Sequence, residues 1–204
     1  MLDGLRATWR GLKNFQVAGY SYIWANLAFV VLSLPLLTAP AALSALFRVG
    51  HVAHTQPSDA DLGLFWETFR RNLLRALPWG TLNAAFAAVN FYNLWAYADA
   101  EGLGIALLRG VWIIAAVIWL GMLLYTWPIY YEMETPTVSG AVRNALVMVL
   151  QNPGFTLAVL AVVALLALAS TVLVAAWALL TCGAIAAIAN AAVLDRLERF
   201  RALS

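Results

Sequence analysis

The sequence predicts an all-α polytopic transmembrane helical bundle of about six spans, with five as the alternative, together with two interfacial amphipathic helices. Of its 204 residues, 64% are apolar and only 11% are charged, whereas soluble proteins average about 25% charged residues. Nine Trp, nine Phe and seven Tyr supply the rings that gather at bilayer interfaces. Because so few charges cannot cover a water-exposed surface, we expect a single transmembrane domain over residues 1–204.

The first predicted span covers residues 17–37, which can cross a hydrocarbon core of about 30 Å. It is longer than the roughly 7–15 residues of a signal-peptide core, so we expect it to be retained. Pro35 and Pro40 then break the chain around Thr38. This pattern predicts a tight helical hairpin in which the Thr38 hydroxyl satisfies a freed backbone group. The second span, residues 40–54, is short, and whether it crosses fully stays open.

Two basic amphipathic helices are expected to lie in the membrane interface, over residues 62–77 and 138–151. In the first, Asp61 is the expected N-cap, and Phe65 and Phe69 begin an apolar stripe that recurs every fourth residue. Arginines occupy the remaining faces of both helices. Together they form a candidate cytoplasmic docking surface, made of Arg70, Arg71, Arg75 and Arg143.

The remaining spans are expected at residues 79–98 and 103–130 and within an uncharged run over residues 155–194. At 1.5 Å per residue this last run would give about 60 Å of helix, twice the thickness of the hydrocarbon core. We therefore predict a hairpin of two spans, over residues 154–173 and 176–194. One long tilted span is the alternative.

The distribution of basic residues predicts the orientation. With six crossings, eleven of the twelve Lys and Arg residues face the cytoplasm, as do both termini, which is a strong positive-inside pattern. Only Arg109 falls on the outer side. A five-span arrangement without the short second helix would place Arg48 and the Arg70–Arg75 cluster outside, so the charges favour six. The residues expected inside are Arg6, Arg10, Lys13, Arg48, Arg70, Arg71, Arg75, Arg143, Arg196, Arg199 and Arg201.

Four polar residues fall in the middle spans: Asn83, Asn90, Asn93 and Arg109. Asn83 and Asn90 are one heptad apart on one helix face, among alanines. They could form a polar intramembrane face that contacts a substrate, or they could hydrogen-bond neighbouring helices together. The second interpretation is favoured, because amides commonly play this part in membrane proteins. Arg109 is expected to snorkel outward to the acidic turn that precedes its helix.

Residues for catalysis or metal binding are not evident in the sequence. It has no nucleophile elbow, zinc-protease motif, phosphate-binding loop or dinucleotide fingerprint. His51 and His54 have no second ligand pair at useful spacing, and Cys182 is the only cysteine. A net charge of +2 does not indicate nucleic acid. We expect no enzyme activity, cofactor or bound metal.

Three segments resemble the YesL-like family of bacterial multi-pass inner-membrane proteins, a domain of unknown function. Residues 32–49, "LSLPLLTAPAALSALFRV", are similar to that family's proline-threonine-proline segment, with Ala39 where the family usually has glycine. Residues 65–77, "FWETFRRNLLRAL", and 141–153, "AVRNALVMVLQNP", are similar to its phenylalanine-rich basic stretch and its later asparagine-containing helix. The resemblance covers nearly the whole chain.

The resemblance implies a bacterial cell-membrane protein that is often encoded beside sugar-uptake ABC importers and polysaccharide-degrading enzymes. We therefore expect a non-catalytic protein, accessory to carbohydrate uptake, whose partners are the lipid bilayer and the importer's permease subunits. A small self-sufficient transporter or channel and a structural subunit of a larger membrane complex are the alternatives. The sequence leaves the substrate and the oligomeric state open.

Overall fold

All regular elements of the computed structural model are helices. The structure describes the backbone of residues 1–203 and the side chains of these residues except Val174 and Leu203. A 3₁₀ turn at Pro57–Asp59 and a π-helical turn at Trp177–Thr181 accompany the α-helices. In chain order the α-helices are α1 (Leu2–Val17), α2 (Gly19–Ser33), α3 (Ala39–Thr55), α4 (Leu62–Asn72), α5 (Leu77–Ala96), α6 (Leu103–Glu132), α7 (Val138–Gln151), α8 (Pro153–Val172), α9 (Val174–Ala176) and α10 (Cys182–Leu203).

Within residues 1–203, three helical segments are long and apolar enough to cross a membrane: Leu103–Glu132, Pro153–Val172 and Trp177–Ala202. A fourth is added if α1 and α2, which are bent by 93° to each other, count as one broken span. The all-α bundle is thereby confirmed, but the six spans are not. Two of the predicted spans are short, since α2 has 15 residues and α3 has 17, and the three asparagines of α5 lower its hydropathy.

The centre of the bundle is the contact between α3 and α10. An added Cβ on Gly50 would lie 2.8 Å from the side-chain Nδ2 of Asn190 and 3.5 Å from the backbone carbonyl of Ala186, so α3 packs directly against the α10 backbone here. Asn190 Nδ2 also donates across the contact to the Phe47 carbonyl oxygen at 3.2 Å. The segment predicted as the short second span is thus mostly surrounded by protein. The fully buried alanines of the pair are Ala42, Ala45, Ala53, Ala186, Ala187, Ala189, Ala191 and Ala192.

Helix α1 packs against α10 and α8, although no helix is predicted from the sequence before residue 17. Its buried face consists of Gly4, Ala7, Thr8 and Gly11, which recur at helical spacing but are too small to give a hydrophobic period. An added Cβ on Gly11 would lie 2.5 Å from the Cα of Ile188. The segment predicted as the first span, residues 17–37, thus corresponds mainly to α2, which begins at Gly19 after the 93° bend that separates it from α1.

The hairpin between α2 and α3 is present as predicted. The Thr38 hydroxyl donates to the carbonyl oxygen of Leu32, and Pro40 lies in the first turn of α3, where its missing N–H is not needed. The turn itself places Leu36 in the left-handed region, with φ of 58°. Helix α2 ends at Ser33, so the last residues of the predicted span 17–37 form this turn instead.

Helix α4 is shorter than predicted, since it ends at Asn72 rather than at residue 77. Its start is as expected, because the Asp61 carboxylate accepts from the Leu64 N–H at 2.7 Å, and Phe65 is buried. Pro78 lies in the first turn of α5. A proline is favourable there, so it marks the start of the next helix and the turn before it separates the two.

The uncharged run over residues 155–194 is divided by a break at Leu173, as predicted. Helix α8 precedes the break, and α9, the π-helical turn and α10 follow it as one helical segment. The π-helical turn that follows frees backbone groups of the last helical segment. Asn26 on α2 binds them: its Nδ2 donates to the carbonyl oxygens of Trp177 at 2.9 Å and Ala178 at 2.5 Å. The Gly183 N–H donates to Asn26 Oδ1 at 2.8 Å. One side chain thus joins α2 to the start of α10.

The close approach of α1 to α10 predicts that Gly11→Ala lowers stability. Alanine normally favours a helix by roughly 1 kcal/mol over glycine, but here its Cβ would overlap the Ile188 backbone, which costs about 1–3 kcal/mol. The matched control is Gly110→Ala on α6, where an added Cβ meets no described atom within 4 Å. Thermal unfolding in one detergent should show a loss for the first variant alone, and equal midpoints would contradict the packing.

The bridge made by Asn26 predicts a large loss of stability for Asn26→Leu, which keeps the volume but leaves buried carbonyl and N–H groups without partners. Each such group costs about 1–3 kcal/mol. The control is Asn93→Leu, since Asn93 is only half-buried and its amide donates within its own helix, to the Val89 carbonyl oxygen. Denaturation of the purified protein should give Asn26→Leu a much lower free energy of unfolding than both the control and the wild type. Equal free energies of unfolding for Asn26→Leu and Asn93→Leu would contradict this assignment.

Candidate functional site

The predicted asparagine face lies at the contact between α5 and α6. Asn83 Oδ1 accepts from the indole Nε1 of Trp119 at 2.7 Å, while its Nδ2 donates to the Trp79 carbonyl oxygen at 2.7 Å. Asn90 Nδ2 donates to the carbonyl oxygen of Trp112 at 3.0 Å. These amides are engaged with the neighbouring helix, which is the arrangement expected of side chains that hold two membrane helices together.

Asn93 and Arg109 lie farther along the same pair of helices. Asn93 is half-buried and donates to the Val89 carbonyl oxygen of its own helix. Arg109 reaches the turn that precedes α6, but among the described residues it forms no salt bridge with Asp99 or Glu101, so the expected ion pair is corrected. The carbonyl oxygens at the end of α5 carry the negative end of its helix dipole and attract the guanidinium instead. Its acceptors are the carbonyl oxygens of Tyr97 at 2.6 Å, Ala98 at 3.0 Å and Ala100 at 3.2 Å.

The pair α5–α6, which we call the hairpin, projects its side chains outward. Only Trp79 and Asn90 of α5 are buried, and the apolar 18-residue window of α6 has no buried residue. Aromatic side chains are prominent on α5, where Phe91 is 73% and Trp95 is 69% exposed. A surface of this composition is suited to contact with acyl chains or with another membrane helix.

The predicted docking arginines are all exposed. Arg70 and Arg71 lie on the last turn of α4, Arg75 lies in the turn that follows it, and Arg143 lies on α7. Arg71 is 3.8 Å from the carboxylate of Glu67, one turn earlier. An exposed pair of this kind contributes little to stability. Because all four arginines are exposed, their guanidinium groups are accessible to anionic partners.

A buried polar cluster that the sequence did not reveal joins α3, α4 and α6. Asn72 Nδ2 donates to Ser44 Oγ at 2.7 Å, and the Ser44 and Tyr131 hydroxyl groups are 2.7 Å apart. The Tyr131 hydroxyl also donates to the Ser44 carbonyl oxygen at 2.9 Å. Ser44 and Asn72 are fully buried. No spacing in the sequence relates these three residues, because each comes from a different helix.

The cluster continues along α3 to charged groups. The Arg48 guanidinium lies 5.1 Å from the centroid of the Tyr131 ring. His51 Nδ1 is 3.6 Å from the Glu132 carboxylate, which Arg201 also approaches to 3.3 Å. His54 instead contacts the Gly50 carbonyl oxygen, at 2.9 Å. The two histidines therefore have separate surroundings and do not converge on one point.

The two ends of the chain are tied together by ion pairs. Asp3 is 2.7 Å from Arg199 and 3.7 Å from Arg196, and Asp195 contacts both arginines as well. The hydrogen bond from Arg199 holds the pKa of Asp3 below its usual value. Asp3 lies in the first turn of α1, and Arg199 lies near the end of α10. These ion pairs therefore place the beginning of α1 and the end of α10 at the same end of the molecule.

The described surface includes an arginine-lined cleft and an apolar groove. The first, a cleft of about 700 Å³, lies between the end of α6, α7 and the end of α10, and Arg196, Arg199 and Arg201 line it. The second, a groove of about 590 Å³, lies between α2 and α4, and its lining is apolar, with Trp24 and Trp66 on opposite sides. The asparagine face contributes to neither cavity.

Comparisons with protein-family models, curated proteins and solved structures find no match to this chain. The resemblance to the YesL-like family therefore stays a prediction.

The buried cluster predicts that Tyr131→Phe destabilises the protein. The substitution removes a hydroxyl group that contacts both Ser44 and Asn72, and polar groups left unpaired in a buried site cost about 1–3 kcal/mol. The matched control is Tyr92→Phe on α5, where the side chain is 63% exposed. Thermal midpoints in one detergent should fall for Tyr131→Phe only; the same midpoint for both variants would show that the cluster does not contribute.

Proposed function

We propose that this chain is a non-catalytic integral protein of a bacterial inner membrane that assists carbohydrate uptake through an ABC importer. The observation that carries the accessory role is the contrast between the two parts of the bundle. The α3–α10 centre is packed with alanine and glycine, while the hairpin presents unpartnered aromatic and aliphatic side chains. A rigid body with one projecting apolar hairpin is suited to packing against another membrane protein.

The importer as partner is supported by the family resemblance of residues 32–49, 65–77 and 141–153. The accessible arginines of α4 and α7 add a second means of contact on the same partner, through its acidic cytoplasmic residues. Aromatic side chains and arginine are the residue types enriched at protein interfaces. The hairpin and the arginines would thus supply the apolar and the polar parts of one interface.

We further propose six crossings with both termini in the cytoplasm. The ion pair of Asp3 with Arg199 supports an even number of crossings, because it holds the two ends of the chain together. The basic residues support the cytoplasmic assignment. In this arrangement α3 crosses while mostly enclosed by protein, which lets a short helix span with local thinning of the bilayer.

The alternative of a self-sufficient transporter has less support. It would need the amides of Asn83 and Asn90 to be available to a substrate, and both amides are hydrogen-bonded to α6 or to their own helix. The buried cluster of Ser44, Asn72 and Tyr131 is likewise internally bonded. These contacts favour a structural part for the polar groups.

Copurification tests the proposed partner. The tagged chain, extracted in mild detergent from its own bacterium, should retain the permease subunits of a carbohydrate ABC importer. Replacing Phe91, Tyr92 and Trp95 together with alanine should reduce the retained permease several-fold, since buried aromatic anchors dominate interface energies. The control replaces three exposed residues of α8, Leu157, Leu165 and Leu168. Purification without permease, together with full sugar uptake in a deletion strain, would refute the proposal.

Labelling with impermeant thiol reagents tests the topology. In a Cys182→Ala background, a cysteine at Arg70 should react only from the cytoplasmic side, and one at Gly102 only from the outside. Inverted vesicles and intact cells provide the two directions. Reaction of the Arg70 position in intact cells would overturn the orientation, and with it the cytoplasmic docking surface.

A further inference from the structure

The cleft between α6, α7 and the end of α10 has no part in the proposed function. Its volume of about 700 Å³ is within the range of roughly 300–1,000 Å³ typical of small-molecule sites. One side is basic, with Arg196, Arg199 and Arg201, and α7 contributes the apolar Val147 and Met148 beside the polar Asn144 and Gln151. A ligand that fits must therefore be both anionic and apolar.

The basic side is held in place by neighbouring contacts. Arg199 uses Nη1 to reach Asp3 at 2.7 Å and Nε to reach Asp195 at 3.3 Å. The Arg196 guanidinium lies 4.0 Å from the centroid of the Phe155 ring, which fixes its plane. A guanidinium has five N–H donors, so these contacts orient Arg199 and leave it donors for an anion.

The charge balance argues against a free anion as the ligand. Three arginines and one glutamate, Glu132, line the cleft, and the carboxylates of Asp3 and Asp195 behind the arginines bring the formal charges into balance. A small phosphate would have to compete with these carboxylates for the same donors. An amphiphile gains additional binding energy, because its apolar part buries surface against Val147 and Met148.

The position of the cleft suits a lipid headgroup. The uncharged run of α10 ends at Leu194, and Arg196 donates to Asn152 Oδ1 at 3.4 Å, between α7 and the first turn of α8. Two of the helices able to span a membrane, Leu103–Glu132 and Trp177–Ala202, line the cleft at their charged ends, through Glu132 and the arginines of α10. Basic side chains at this level of a membrane protein face the phosphate groups of the leaflet.

We propose that this cleft binds an anionic phospholipid, with the phosphate at Arg199 and Arg201 and the first acyl carbons along Val147, Met148 and Leu197. The lipid would fill the space between α7 and α10 and strengthen their contact. The cleft shares the end of α6 with the hairpin and shares α7 with Arg143, but neither the exposed aromatic side chains of α5 nor the docking arginines line it. The lipid proposal therefore does not depend on the proposed importer partner.

The test titrates the full-length, delipidated protein in a non-ionic detergent with dioleoyl phosphatidylglycerol and with dioleoyl phosphatidylcholine, which share the same acyl chains. Native mass spectrometry reports bound lipid, and thermal unfolding reports stabilisation. Phosphatidylglycerol should bind more tightly and raise the unfolding midpoint. Arg199→Gln with Arg201→Gln should weaken its binding about fivefold per charge removed.

Val147→Trp is the second variant, since it fills the cleft without changing any charge, and it should reduce phosphatidylglycerol binding even if the arginine variant proves unstable. The matched controls are Arg70→Gln with Arg71→Gln on α4, and Val111→Trp on the exposed face of α6; both should bind like the wild type.

Three results would overturn the proposal. Equal affinity for the two lipids would exclude recognition of the headgroup charge. Controls that lose as much binding as the cleft variants would show general electrostatic adsorption. Inorganic phosphate that stabilises the protein as much as phosphatidylglycerol would assign the arginines to a soluble anion instead of a lipid.

Discussion

Close approach of helix backbones is the constraint on which the rest of this structure depends. Within a bilayer, lipid tails are as apolar as the side chains, so helices associate through van der Waals packing and interhelical hydrogen bonds rather than through the hydrophobic effect. Gly11 lets α1 contact the backbone of α10, and Gly50 lets α3 contact it from another side. The buried alanines of α3 and α10 complete the contact. Larger side chains at these positions would separate the helices.

Buried polar side chains add direction to this packing. Asn26 binds the backbone freed by the π-helical turn, and Asn190 binds the Phe47 carbonyl oxygen on α3. The cluster of Ser44, Asn72 and Tyr131 joins three helices in one place. Hydrogen bonds between membrane helices are individually weak, about 0.6 kcal/mol on average. Their geometry nevertheless fixes which helices are neighbours, because an unpaired amide in an apolar site is costly.

The molecule consequently has two parts with different uses. Helices α1, α3, α8 and α10 form a packed body whose charged end carries the paired termini and the arginine-lined cleft. The hairpin of α5 and α6 is attached to the body mainly through the second half of α6, where Tyr125 and Trp127 are buried. It leaves its own apolar faces to lipid or to a partner. The proposed accessory role uses the hairpin, whereas the proposed lipid binding uses the charged end.

The sequence by itself determined the helical class, the break near Leu173, the cap at Asp61 and the turn between α2 and α3 that Thr38 closes. Each of these features follows from local chain chemistry or from the length of an apolar run. Only the tertiary structure decided that α1 is a packed helix, that α3 lies at the centre, and that Arg109 binds the end of α5. A face of glycine and alanine has no hydrophobic period to detect. Contacts such as Asp3 with Arg199 join opposite ends of the chain, so they exist only once the helices have packed.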